Sequence, residues 1–281
     1  MRSVKYFMAA AGAASLFSSA ALAADMPSIM PPPPQQYYAP QVEDFGGWYL
    51  RGDIGVTTTN AKLHTAIYDQ LSAAGTPFQQ LGHGFDGGTS YGVGVGYKFN
   101  NWFRADITGE YRAKVAFHGT DFVTYSPIDH QSDAYNGGYK SWVGLINAYA
   151  DLGTWWCLTP FVGVGVGAAH IETTGFSDVT TFAAGDGRAS SYFAEGASKT
   201  NFAWAAHAGV AYKVTNNFTV ELAYRYLDMG TAGHGQYHFY DGTAGASTFQ
   251  FRDMTSQDLK IGVRWTCCDL PPPPPPLVRK G

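Results

Sequence analysis

Charged side chains are scarce in this sequence. Asp, Glu, Lys and Arg make up 14% of it, against roughly 25% in an ordinary soluble domain. Neither sign dominates, since 18 basic residues face 22 acidic ones for a formal net charge of −4. A chain without a basic surface has no electrostatic hold on phosphate backbones, so nucleic acid is excluded as a partner. Cysteine is scarcer still. Cys157 stands alone and Cys267 and Cys268 are adjacent, which is too few for a disulfide scaffold and the wrong spacing for zinc. Long apolar runs are also missing. Beyond the N-terminal leader, the longest unbroken apolar-or-glycine run is residues 161–169. A membrane-crossing helix needs roughly 18 or more such residues, so helical spans are excluded.

The leader itself has a familiar build. Arg2 and Lys5 precede an apolar stretch, and Ala21-Leu22-Ala23 stands before Ala24. Residues 1–23 therefore read as a secretory signal peptide, and the rest of the chain as exported. Residues 24–45 are Pro-rich and expected to be an extended periplasmic segment. A second Pro-rich tail, 267–281, holds consecutive prolines from 271 to 276. Between them, 46–266 reads as one domain.

Glycine and aromatic residues are abundant in that domain; Gly accounts for 34 of the 281 residues and aromatics for 15%. Gly92, Gly94 and Gly96 lie in SYGVGVGYKFN (90–100). The dinucleotide fingerprint needs G-x-G-x-x-G before a helix, and here the spacing is G-x-G-x-G with no helix-forming run behind it. Instead Tyr91, Val93, Val95, Tyr97 and Phe99 alternate with small or polar residues, which is strand periodicity. After Asn100-Asn101 the alternation resumes through Phe103, Ala105, Ile107, Gly109 and Tyr111, and the two runs form a hairpin. Further runs begin near Trp48, Ser141, Leu158, Phe202, Phe218 and Leu259. Eight such runs are joined alternately by short turns and by loops of roughly 25 to 30 residues, as in a membrane barrel.

Alternation alone does not say which face meets lipid. A soluble, periplasmic, lipocalin-like binding barrel has the same stripes with the sense reversed. Three features favour an apolar face turned outward. The polar face carries repeated Gly and Ala, which make room in a narrow lumen. It also carries both charge signs at Arg51, Asp53, Arg104, Asp106, Glu110, Arg112, Glu221, Arg225, Asp258, Lys260 and Arg264, a set able to neutralise itself inside. Aromatic residues gather at both ends of the runs. Trp48, Trp102 and Trp265 lie near the short turns, with Trp142, Trp204 and Tyr224 near the long loops, the placement of two interfacial girdles. The expected fold is all-β, an eight-stranded antiparallel up-and-down transmembrane barrel with short periplasmic turns and four long extracellular loops.

Five stretches carry a resemblance. They are GGWYLRGDIGV (46–56), NAYADLG (147–153), TPFVGVGVGAA (159–169), ELAYRYLDMG (221–230) and DLKIGVRW (258–265). Together they resemble the small outer-membrane β-barrel family of alphaproteobacteria, relatives of the OmpA transmembrane domain and of opacity-type surface antigens. The resemblance implies residence among outer-membrane lipid and lipopolysaccharide, and insertion by the barrel-assembly machinery through the last strand. It implies a structural, non-catalytic role in envelope integrity and surface interaction, with host or surface ligands met by the loops. With short turns on the periplasmic side, the Pro-rich ends are expected to act as spacers or contacts toward the cell wall. Two alternatives stand beside this reading: a narrow porin-like channel, and a surface protein that binds haem or another ligand. Relatives that bind haem draw notice to His64, His83, His118, His130, His234 and His238 in the long loops. Their spacing is irregular, and no metal or cofactor is expected. His207 sits on the polar stripe, but no Ser or Asp accompanies it at a recurring offset, so no enzyme is expected.

Overall fold

The period-two pattern is realised as eleven strands and one short helix in a computed structural model, which describes residues 46–185, 191–245 and 249–267. The leader, the Pro-rich segment up to residue 45 and the tail from 268 lie outside the described residues. In chain order the elements are β1 (Gly47–Thr65), α1 (Ala66–Ala73), β2 (Phe78–Phe85), β3 (Gly88–Lys98), β4 (Phe103–Thr124) and β5 (His130–Asp151). They continue with β6 (Leu158–Ala184), β7 (Ser191–Ala194), β8 (Ser198–Lys213), β9 (Phe218–Gly233), β10 (Tyr237–Phe239) and β11 (Phe249–Cys267).

Eight of these close a ring. β1 pairs with β3, and the antiparallel order runs on through β4, β5, β6, β8, β9 and β11, which returns to β1. Closure leaves no edge of unpaired backbone groups, the condition for a sheet to sit in hydrocarbon. The turns on one end are short and locally determined. The Asn100 side-chain carbonyl accepts the backbone N–H groups of Trp102 at 3.0 Å and Phe103 at 2.7 Å. The Thr215 hydroxyl accepts the Phe218 N–H at 3.0 Å in the equivalent place between β8 and β9.

The apolar stripes point outward. Val93, Ile107, Ile146, Val164 and Ile261 are each more than half exposed on the outer face. Val95, Ile107, Ile146, Val166 and Trp204 are successive cross-strand partners around it. This outward sense rules out the lipocalin-like cup, whose apolar face would line its interior. Trp48, Trp102 and Trp265 are exposed toward the short turns, and Trp142, Trp204 and Tyr224 toward the opposite end.

The connections read as long loops are mostly something else. β4 and β5 each run 22 residues and β6 runs 27, while crossing a bilayer takes about 9–11. Only residues 125–129 separate β4 from β5. Beyond the outward apolar band the strands continue as a column. There β2 pairs with the far half of β4, β7 with the far half of β6, and β10 with β7. Inside the column the polarity inverts, and apolar side chains now face inward. Phe176 packs on Phe249 with ring centroids 4.2 Å apart, and Phe117 lies 4.8 Å from both Phe85 and Phe251. In β4 the inversion is made by an irregularity between Arg112 and Val115, after which Val115, Phe117 and Val123 point inside. Each buried Phe contributes about 1.5–3 kcal/mol, so the column is a folded part with its own core.

Candidate functional site: the charged lumen

Within the ring the inward side chains form two linked charge clusters. Period-two geometry sends Glu110 and Arg112 of β4, Arg225 of β9 and Asp258 and Lys260 of β11 to the same level. Arg112 donates to Asp258 at 3.0 and 3.1 Å and to the Ser256 hydroxyl at 2.5 Å. Arg225 donates through Nε to Asp258 at 2.8 Å and through Nη2 to Glu110 at 2.6 Å. The Lys260 ammonium lies 2.5 Å from Glu110 and also pairs with Asp53.

The second cluster lies toward the short turns. Arg51 donates to Asp106 at 3.0 Å and to the Tyr149 hydroxyl at 2.9 Å, and reaches Glu221 at 3.6 Å. Glu221 is shared with Arg264 at 2.9 Å and Arg104 at 3.5 Å, and Arg104 donates through Nε to Asp151 at 3.2 Å. Arg51, Arg104, Arg112, Arg225, Lys260 and Arg264 thus face Asp53, Asp106, Glu110, Asp151, Glu221 and Asp258, as many acids as bases. Placing this many charges out of water is costly, and only mutual pairing offsets it.

Some partners were not singled out by residue type. Asp151 completes the set from the last position of β5; its only signal in the sequence is that it shares a face with Asn147 and Tyr149. Asn147 donates to Asp106 at 2.8 Å and to Thr108 at 3.0 Å. His207 lies 3.2 Å from the Asn147 side-chain oxygen and against the Tyr149 ring. Large side chains fit because glycine faces them. A Cβ on Gly96 would stand 2.3 Å from the Tyr49 ring, and one on Gly163 2.4 Å from the Tyr149 ring. The glycine stripe is therefore occupied volume, taken up by tyrosines of the neighbouring strands.

The loop histidines are spread over the column rather than gathered. His83 and His118 are exposed, His64, His130 and His238 half-buried, and His234 buried against Phe176 and Phe251. Burial lowers the His234 pKa to about 4. Among the described residues no group of three or more His, Cys, Asp or Glu is placed to hold a metal.

The column has a titratable feature of its own. Asp121 and Asp133 are direct cross-strand partners, and Asp178 is inward-facing on β6 beside them. Asp121 accepts the Tyr68 hydroxyl at 2.8 Å. Burial, joined by the neighbouring Asp133, raises the Asp121 pKa from 3.8 to about 6. Burial, with Asp133 and Asp121 adding to it, raises that of Asp178 to about 8. A carboxyl whose folded pKa is raised binds its proton more tightly folded than unfolded. Its contribution to stability is complete at low pH and falls as pH climbs through the folded value. The column should therefore loosen between about pH 4 and pH 8. Amide exchange in 117–123 and 176–180, corrected for intrinsic rate, is expected to be slower at pH 5 than at pH 8. Faster exchange at pH 5 would show that these carboxyls are not held protonated.

Comparison with known proteins adds a second line. The profile of the outer membrane protein β-barrel domain matches residues 9–266. A Brucella melitensis protein is 34% identical over 204 residues, covering 64% of this chain and 67% of its own. Outer membrane protein PagN of Salmonella typhimurium is 25% identical over 226 residues, covering 78% and 89%. A Rickettsia canadensis protein, provisionally named an adhesin, is 26% identical over 198 residues, covering 66% and 73%.

Proposed function

Since the chain belongs to the family of outer membrane protein β-barrel domains, we propose that it is a sealed, non-catalytic barrel of the outer membrane. In this reading it contributes to envelope integrity and presents a folded column for contact with molecules at the cell surface. The observation that carries the reading is the continuation of β4, β5 and β6 past the apolar band, with an aromatic core of their own. A barrel that only had to seal a membrane has no need of strands twice the crossing length. A rigid column presents its outer residues at a low entropy cost of binding, because they are ordered before contact is made. The self-neutralising lumen supports the sealed half of the reading, and the provisional adhesin name of the Rickettsia relative supports the contact half.

Partners follow from the same geometry. The outward band and its aromatic rims suit lipid and lipopolysaccharide. The last strand, with Leu259, Ile261, Val263 and Trp265 on its lipid side, suits reading by the assembly machinery. The Pro-rich ends suit a spacer toward the cell wall. The test trims the column by joining Val115 to Tyr139, cross-strand partners, through an Asn-Gly turn. Cells carrying the trimmed barrel in place of the intact one should keep their detergent resistance and lose adherence to epithelial monolayers. Unchanged adherence would remove the contact role, and detergent resistance unchanged by deleting the whole gene would remove the integrity role.

A further inference from the structure

The ring is open at its short-turn, periplasmic end onto a cavity of about 270 Å³. Its lining includes Lys98, Arg104, Lys213 and Arg264, with Asp151 as the acidic member and Asn101, Thr159 and Thr219 among the neutral ones. Lys98 and Lys213 bring to this end two positive charges that are not part of the paired lumen set of six bases and six acids.

Arg104 is the informative residue. It is 1% exposed. Its guanidinium lies 4.1 Å from the Tyr149 ring centroid and 4.7 Å from that of Phe161, and its Nε donates to Asp151 at 3.2 Å. Ring stacking and that one bond hold the group in place. Among the described residues its Nη1 nonetheless has no hydrogen-bond partner, and Nη2 has only the Glu221 carboxylate at an ion-pair distance of 3.5 Å. A buried donor without an acceptor is costly, and more so when it is charged. Arg264 pairs with Glu221, which is shared with Arg104 and with Arg51, itself also paired with Asp106. Lys213 extends from the exposed end of β8.

We infer that this periplasmic cavity is a binding site for a small oxyanion, a phosphate or a carboxylate, received by Arg104 with Arg264 and Lys213 around it. A fixed guanidinium offers two parallel N–H groups that match either anion. The volume admits one phosphate, one short dicarboxylic acid or the charged end of a longer molecule. The site faces the periplasm, so its ligand is a solute or an end group there, independent of whatever the column meets outside the cell.

The test is calorimetric titration of the full chain, folded in a maltoside detergent, with inorganic phosphate and separately with succinate. Saturable binding of at least one is expected. The tighter of the two tells whether a phosphoryl or a carboxyl group is the native ligand. Arg104→Met should weaken it by at least about tenfold, as loss of a bidentate charged pair does. Lys213→Ala, at an exposed position outside the stacked rings, should weaken it by a few-fold with the barrel still folded by gel mobility, so the inference is testable even where Arg104→Met does not fold. No saturable heat with either anion at millimolar concentration would overturn the site. Equal affinity in the wild type and in both variants would do the same.

Discussion

Glu110→Gln is expected to destabilise the folded barrel in lipid by about 3–5 kcal/mol, the scale for leaving buried charges without their partner. Glu110 is 3% exposed. It receives Arg225 at 2.6 Å, Lys260 at 2.5 Å and Arg112 at 3.1 Å. The amide keeps the shape and removes the charge, so three cations then share only Asp258 and Asp53. The readout is a denaturant titration in lipid vesicles, with the folded fraction followed by the mobility of unheated samples. Removing a cation as well, in Glu110→Gln with Lys260→Met, should recover part of the loss, and that coupling separates a charge effect from a packing effect. A single substitution within experimental error of the wild type would mean that water reaches this level of the lumen and screens it.

Ile107→Arg carries the second large effect. Ile107 stands at the middle of the outward apolar run of β4, flanked by Val95 and Ile146 on its neighbours, and is 59% exposed. Arginine at mid-bilayer on the lipid face of a barrel costs about 2–4 kcal/mol, falling to about 0–1 near the interfaces. Thr58, also exposed but beyond Val56 at the end of the β1 apolar run, is the matched control. Thr58→Arg should be nearly neutral in the same titration. Equal costs at the two positions would mean that the apolar band does not mark the depth of the membrane.

Much of the membrane-embedded part was legible in the sequence because period two is the only regularity a half-lipid, half-lumen strand allows. The alternation of Val93, Val95 and Ile107 with Gly94, Gly96 and Asp106 states the strands, and the small and charged residues gathered on one stripe state their sense. The column was not legible. Once the strands leave the apolar band their outer face becomes polar, and Phe117, Phe176 and Phe251 turn inward. A single outward pattern therefore stops there even though the strand does not. In β4 the irregularity after Arg112 also shifts the phase by one residue, which reads as a loop. The charged positions of the lumen are visible as residue types on a stripe, yet their pairing is not. Arg112 and Asp258 are 146 residues apart, and only ring closure brings β4 and β11 to the same interior. The periplasmic cavity was hidden for another reason. Lys98 and Lys213 flank short turns, where a lysine reads as ordinary solvent-facing charge.

The sealed lumen is the claim on which the rest depends, and conductance of the purified barrel in a planar lipid bilayer tests it most directly. With the two charge clusters paired across the bore and the tyrosines seated on Gly96 and Gly163, the wild-type protein should insert without producing current steps. Stable, ohmic steps from the wild type would contradict the seal and make the protein a narrow pore whose charge network lines the path of the ions.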